Sequence, residues 1–308
     1  CLRKSYDKIT SADNVHPRYR NMKRKQGQRI EEDLKNSKIE RYETLVVLVQ
    51  FHHGYFHWIT ERIPTLCALL PVILKEKNVR ILVDGHFAGH EDRNVNRWTQ
   101  EYLKLILPWN DLRNRIVLYR TDRLYHANRI ILLRNPVSTF HVHRNRLLRA
   151  REKISRCVVS TEQSSRCIVL IRRTNAAARQ WSNIDDVAYA IRKRYVHHQV
   201  RIVDFENYSV SEQIQICRDK TLLLIGVHGA GLSNLVWCCP SKTCGVIEIL
   251  PSRPLFFRYL FWHLASSCNI PYVNVFVHEA RWSSKSVTPS VTEVLDAVSV
   301  LMTSSSSS

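Results

Sequence analysis

Apolar and polar positions alternate along this chain in two kinds of run. Short apolar stretches of strand length, "TLVVLVQ" (44–50), "RILVD" (80–84), "RIVLY" (115–119) and "RIILL" (129–133), flank longer segments with helical spacing, "YFHWITERIPTLCALLPVILKEK" and "RNVNRWTQEYLKLIL". Pro64 and Pro71 are expected to kink or split the first of these helices. After a polar stretch, "SRCVVSTEQSSR", the alternation restarts as strand "CIVLI", helix "IDDVAYAIRKRY", strand "VRIVDF", helix "SVSEQIQICRD" and strand "TLLLIGV". A helix from residue 231, strand "GVIEIL", helix "LFFRYLFWHLAS" and strand "YVNVFV" complete the series, and "VTPSVTEVLDAVSVLM" reads as a last helix before a disordered "TSSSSS" tail.

Strands alternating with helices specify an α/β chain whose parallel sheets are covered on both faces. The restart near residue 160 divides it into two Rossmann-like domains with a cleft between them. The expected organisation is a basic arm over 1–42, a first domain over 43–160, a second over 161–285, and a C-terminal helix and Ser tail over 286–308.

The abrupt change of character in "IGVHGAGLSNLVW" (225–237) marks the second domain. An apolar strand ends at His228, the small residues Gly229, Ala230 and Gly231 follow, and helical spacing resumes. Small residues at a strand-to-helix turn let a ligand or another backbone approach closely, and free N–H groups at the helix start favour an anion. The turn lacks the third glycine of a dinucleotide fingerprint and lies late in the chain, which disfavours a nicotinamide dehydrogenase.

Ligands of open α/β sheets gather beyond the carboxyl ends of the strands. Arg172 and Arg173 follow "CIVLI", and with Arg179 and the glycine turn they could hold a diphosphate through charge-assisted, often bidentate bonds. Glu248 sits inside the apolar strand "GVIEIL", where a carboxylate is costly unless it accepts hydrogen bonds, as a ribose diol would supply. In "FHHGYFHWITERIPTL", His57 and Glu61 are four residues apart and share a helical face, suiting a proton-transfer pair or a structural hydrogen bond. The spacing is not that of a zinc site, and no Asp-x-Asp metal motif is present, so no metal ligand is assigned.

The formal net charge of +19 over 308 residues points to anionic partners, and one dense basic run, "RYRNMKRKQGQRIEEDLKNSKIER", reads as a solvated arm. No nucleic-acid-binding signature accompanies it, so nucleic acid is not an expected partner. Hydrophobic and charged fractions of 44% and 24% are those of a soluble globular protein, and no apolar run is long enough to cross a membrane. The chain begins at Cys1 without a methionine, as a fragment or processed form would; any membrane anchor would lie outside it. Of nine cysteines, Cys157 with Cys167, or Cys238 and Cys239 with Cys244, could pair in an oxidising compartment. Asn207-Tyr208-Ser209 is a sequon usable in the secretory pathway.

The texts "IGVHGAGLSNLVWCCPSKTCGVIEILP", "CIVLIRRTNAAARQWSN" and "FHWITERIP" together resemble the family 61 glycosyltransferases over roughly residues 45 to 280. That family includes plant xylan xylosyl- and arabinosyltransferases and animal enzymes that add N-acetylglucosamine to EGF domains and to O-mannose glycans. The "CCPSKTC" insertion departs from its usual shorter proline-glycine turn. The resemblance implies a GT-B arrangement of two Rossmann-like domains facing a cleft, inverting transfer from a UDP-sugar to a glycan or glycoprotein hydroxyl, and residence in the lumen of the Golgi or endoplasmic reticulum. N-acetylglucosamine and xylose lead as sugars, no cofactor beyond the donor substrate is expected, and metal dependence stays open. It implies a donor site built from Arg172, Arg173, Arg179, His228, Gly229, Ala230, Gly231, Ser233, Asn234 and Glu248, with Glu248 on the ribose, and an acceptor side at His57 and Glu61. A non-catalytic glycan- or nucleotide-binding relative and a polyanion-binding protein are the alternatives.

Overall fold

The computed structural model describes residues 38–49, 54–84, 97–108, 110, 113–120, 123–132, 142–161, 166–243, 245–253 and 259–304. Four strands form a first sheet: β1 (Lys38–Val47), β2 (Val79–Asp84), β3 (Ile116–Tyr119) and β4 (Arg123–Ile131), in the order β3-β2-β1-β4 with every neighbouring pair parallel. β1 starts at Lys38, so residues 38–42 belong to the sheet and not to the basic arm. Charge does not exclude this segment from a strand because it is matched across the pair: Glu40 accepts from the Tyr42 hydroxyl and forms an ion pair with Arg123 of β4. The rest of the arm and the Ser tail from 305 lie outside the described residues.

The expected break in the first helix occurs before the prolines. Tyr55–His57 is α-helical, Trp58–Arg62 is a π turn, and an α-helix runs from Ile63 to Lys75. Pro64 follows directly on the π turn and, having no N–H, makes no backbone bond back into it. The Ile63 N–H reaches back to the Trp58 carbonyl, which closes the wider turn. Pro71 sits inside the helix without ending it.

The second sheet contains β5 (Cys167–Ile171), β7 (Gln199–Val203), β8 (Thr221–Val227), β9 (Gly245–Arg253) and β10 (Tyr272–Arg281), in the order β10-β9-β8-β5-β7, again wholly parallel. A short pair, β6 (Gln180–Trp181) with β11 (Ser286–Val287), stands apart. Alternate residues of β5 feed two cores: Ile168 and Leu170 pack with the helices 184–194 and 291–304, and Val169 and Ile171 pack with the opposite layer. That second core continues to Val46, Ile59, Leu66 and Tyr102 of the first sheet and its helices, and Tyr102 stacks on Trp237 with ring centroids 5.9 Å apart. Each fully buried Leu or Ile contributes roughly 1.5–3 kcal/mol, so this shared cluster is a major tie between the two sheets.

The helix expected from residue 231 is present, as the 3-10 helix Ala230–Trp237, closed by the Leu232 N–H on the Gly229 carbonyl at 3.0 Å. One suggested cysteine pairing is not formed. Cys157 and Cys167 are separate free thiols, donating to the carbonyls of Lys153 and Lys220 at 3.3 and 3.2 Å. Cys238 and Cys239 are also free, and Cys244 lies outside the described residues. Among the described residues no helix is long and apolar enough to cross a membrane.

The strand order positions the site. From β5 the chain crosses to β7 on one side and then returns to β8 on the other, so a crevice opens beyond the carboxyl ends of β5 and β8. Arg172 and Arg173 leave the first of these ends, and His228 to Gly231 leave the second.

Candidate active site

The glycine turn is shaped by an arginine. A Cβ built on Gly229 would stand 2.6 Å from Arg173 Cζ and 2.7 Å from Nη1, so only glycine leaves this guanidinium its place. A Cβ on Gly231 would meet Ile171 Cγ2 at 3.0 Å, which draws the ends of β5 and β8 together. Arg173 Nη1 donates to the His228 carbonyl at 3.0 Å, and Arg179 Nε donates to the same oxygen at 3.1 Å. Arg179 also donates to the Trp282 carbonyl at 3.1 Å and lies 4.3 Å over the Trp282 ring. Its backbone takes a left-handed φ of 60°, held by the Arg179 N–H on the Ser284 carbonyl at 2.8 Å.

Two guanidiniums thus converge on one carbonyl oxygen, and among the described residues neither forms an ion pair with a carboxylate. Burial, with Arg179 adding to it and Glu206 opposing, pushes Arg173 down to about 10. Burial lowers Arg179 as well. Both cations are therefore held at a cost that an anion between them would offset. Arg172 is committed elsewhere: Nη2 donates to both Asp185 oxygens at 2.9 Å on the exposed side.

The His228 side chain is held by a separate set of contacts. Its Nδ1 bonds Glu248 Oε1, and the Tyr272 hydroxyl donates to Glu248 Oε2. The ring lies 5.0 Å from Phe261 and 4.3 Å from Trp282, centroid to centroid. Glu248 is 0% exposed and each oxygen is engaged, so its carboxylate anchors His228 and has no face open to a ribose. The cost of burying this charge, which the sequence suggested a ligand would meet, is met internally by Tyr272. Burial, reinforced by Glu248, pushes the Tyr272 phenol far up, so the hydroxyl keeps its proton and remains the donor.

A pocket of about 200 Å³ opens at the switch point, lined by Arg172, Arg173, Ala230, Gly231 and Asn234 from the sequence reading. Gly229, Ser233, Arg179 and His228 are not among its lining residues; Gly229 and Arg179 adjoin it through Arg173 and the shared His228 carbonyl, and Ser233 is fully buried. Ile171 at the end of β5 completes that side, and the rest of the lining was not anticipated: Tyr55 and Trp98 come from the first sheet's helices, Asp204, Phe205 and Glu206 follow β7, and Gln213 follows them. The three residues after β7 obey the same strand-end rule that singled out Arg172. Tyr55 and Trp98 carry no local signal, because only the packing of one sheet on the other brings them there.

Tyr55 is the link between the halves. Its hydroxyl stands 2.8 Å from Gln213 Oε1 and 2.8 Å from Asn234 Oδ1, and Asn234 Nδ2 donates to Gln213 Oε1 at 3.1 Å. Two residues on, His57 Nδ1 bonds Glu61 Oε1 at 2.7 Å, the two side chains being 22% and 7% exposed. This pair does not line the pocket; it lies on the turn that carries Tyr55, and the neighbouring Phe56 meets Phe261, which also touches the His228 ring. Among the described residues no group of three or more His, Cys, Asp or Glu side chains is placed to hold a metal ion.

A comparison with curated proteins finds no match. Among solved structures, the chain is similar to the family 9 glycosyl transferase of Veillonella parvula DSM 2008, at 10% identity and a TM-score of 0.38, over 87% of this chain and 99% of that one. That likeness is too distant to bear on the chemistry. The family model for glycosyltransferase 61 matches residues 55–247, from the Tyr55 turn through the arginines and the glycine turn into β9. The chain belongs to the glycosyltransferase 61 family.

Proposed function

We propose that this chain is an inverting transferase that moves a sugar, N-acetylglucosamine or xylose, from a UDP-sugar to a hydroxyl of a glycan or glycoprotein in the lumen of the Golgi or endoplasmic reticulum. The observation that carries this reading is the pair of half-buried guanidiniums, Arg173 and Arg179, sharing the His228 carbonyl beside a turn where only glycine fits. The two parallel sheets, with a pocket lined from both, support a GT-B arrangement in which residues 43–160 face the acceptor and 161–285 hold the donor.

In this reading the diphosphate lies against Arg173, Arg179 and the backbone of Gly229 to Gly231. The acceptor hydroxyl gives its proton to the base, its oxygen forms the new bond to the anomeric carbon, and the bond from that carbon to phosphate oxygen breaks with its electron pair leaving on UDP. Negative charge grows on the departing diphosphate, and two guanidiniums fixed by their backbone hydrogen bonds stabilise it. His57 and Glu61 form the base and its orienting partner, since the 2.7 Å bond between them fixes the ring and the pair is carried by the same turn as the pocket residue Tyr55.

The test is transfer itself. Incubation with UDP-N-acetylglucosamine and UDP-xylose and a panel of glycan acceptors should release UDP and yield a product whose anomeric proton coupling reports inversion. Absence of UDP release with every donor, from protein shown to be folded, would contradict the reading.

A further inference from the structure

The pocket carries both signs of charge. Arg173 supplies the positive side, and the residues that follow β7, Asp204 and Glu206, bring two carboxylates into the same lining. Asp204 Oδ1 accepts the Glu206 N–H at 3.3 Å and Glu206 Oε2 accepts from Asn175 Nδ2 at 3.1 Å. Asp204 Oδ2 and Glu206 Oε1 accept no hydrogen bond from any described residue. The same lining includes aromatic residues: Phe205 from the same turn, and Tyr55 with Trp98 from the other sheet, packed edge to face at 5.4 Å.

A pocket built only to hold an anion would not bring carboxylates beside its arginine, because they repel phosphate oxygens. Carboxylates accept hydrogen bonds from neutral hydroxyls, and aromatic faces take a flat, weakly polar ring. The matching ligand therefore combines an anionic group, hydroxyl donors and a planar group. A nucleoside diphosphate has this combination of groups, whereas a polyanion repeats its charge along its whole length.

We propose that Asp204 and Glu206 read the ribose of the donor, accepting from its 2′- and 3′-hydroxyls, while the base lies against Tyr55 and Trp98. This inference rests on the nucleotide-donor reading above and gives the ribose contact to the turn after β7, since Glu248 is closed off by His228 and Tyr272. It also makes the base subsite a joint product of the two sheets.

The probes are UDP, 2′-deoxy-UDP, inorganic pyrophosphate and glucose 1-phosphate, titrated calorimetrically against the wild-type chain, Glu206→Ala and Asp204→Asn. Glu206 is exposed, so its substitution leaves the core untouched. The expected result is that UDP binds about tenfold or more tightly than 2′-deoxy-UDP, the loss of a hydrogen bond to a charged group. Glu206→Ala should remove that difference and leave pyrophosphate binding unchanged. Pyrophosphate and UDP binding with no ribose discrimination would overturn this inference while leaving the diphosphate site standing. Equal dependence of glucose 1-phosphate and UDP on Glu206 would assign the carboxylates to a sugar and overturn the ribose reading. Binding of neither UDP nor pyrophosphate would overturn both the donor reading and what is built on it.

Discussion

The Arg173 guanidinium lies directly against the backbone of Gly229, at a distance no side chain on residue 229 could share. The backbone φ of Gly229 is 167°, extended and open to any residue, so close approach alone demands glycine here. Gly229→Ala should therefore fold, because the atoms displaced belong to the far end of a flexible side chain, and should lower UDP affinity at least tenfold by moving Arg173. Gly245→Ala is the contrasting case: its Cβ would meet the Pro271 carbonyl at 3.0 Å and Leu301 at 2.8 Å in the core. It should cost about 1–3 kcal/mol of stability through overpacking. Denaturant unfolding and UDP titration on both variants separate the two effects.

Glu248 and Tyr272 should act on stability with no nucleotide present. Tyr272→Phe keeps the ring and leaves the buried carboxylate one donor short, a cost of about 1–3 kcal/mol. Glu248→Ala breaks a buried His–Glu pair and should cost about 3–5 kcal/mol. If Glu248→Ala left unfolding in the absence of ligand unchanged but abolished UDP binding, the internal role would be wrong and a ribose contact restored.

The link between the sheets should be acid-sensitive through Asp219. Its carboxylate accepts from Arg218 Nε at 2.7 Å and from the Thr161 N–H at 3.1 Å, and Arg218 also donates to the Ser155 carbonyl at the end of helix 144–157. Burial raises the Asp219 carboxyl, and the bonds from Arg218 and Thr161 outweigh it, so the net shift is downward from the ordinary 3.8. A carboxyl depressed in the folded state contributes fully above its unfolded value and loses that contribution as pH falls through its folded one. Asp219→Asn should therefore destabilise the chain at pH 7 and progressively less below about pH 4. Urea unfolding of both proteins at pH 7 and pH 3 measures the difference.

The chemical step should separate from donor binding at Glu61. Glu61→Gln keeps a hydrogen-bond acceptor for His57 while removing the charge, and should lower kcat by about 10²–10⁴-fold with little change in UDP affinity. A parallel loss of UDP affinity would place the pair on the donor side instead.

The parallel sheets were legible in the sequence because strands covered on both faces run apolar without interruption, as in "CIVLI" and "TLLLIGV". The arginines and the glycine turn were legible for a related reason, since the end of an apolar run marks where a ligand crevice opens. Glu248 stood out as a charge among Val246, Ile247, Ile249 and Leu250, but its partner did not. Tyr272 lies at the start of the neighbouring strand, and which strands neighbour one another is not written in local periodicity. The 3-10 geometry of Ala230–Trp237 was hidden because short apolar segments suit either helix type. Tyr55 and Trp98 were invisible for a deeper reason: their place in the pocket depends on how two separately wound sheets pack together.

The most direct measurement is calorimetric titration of UDP, GDP and CMP against the wild-type chain, Arg173→Ala and Arg179→Ala. Selective binding of UDP that falls at least tenfold in each arginine variant is the expected result, each variant losing a charge-assisted contact to the diphosphate. Undiminished UDP binding by both variants, or no binding of any nucleotide by folded wild-type protein, would contradict the donor site described above.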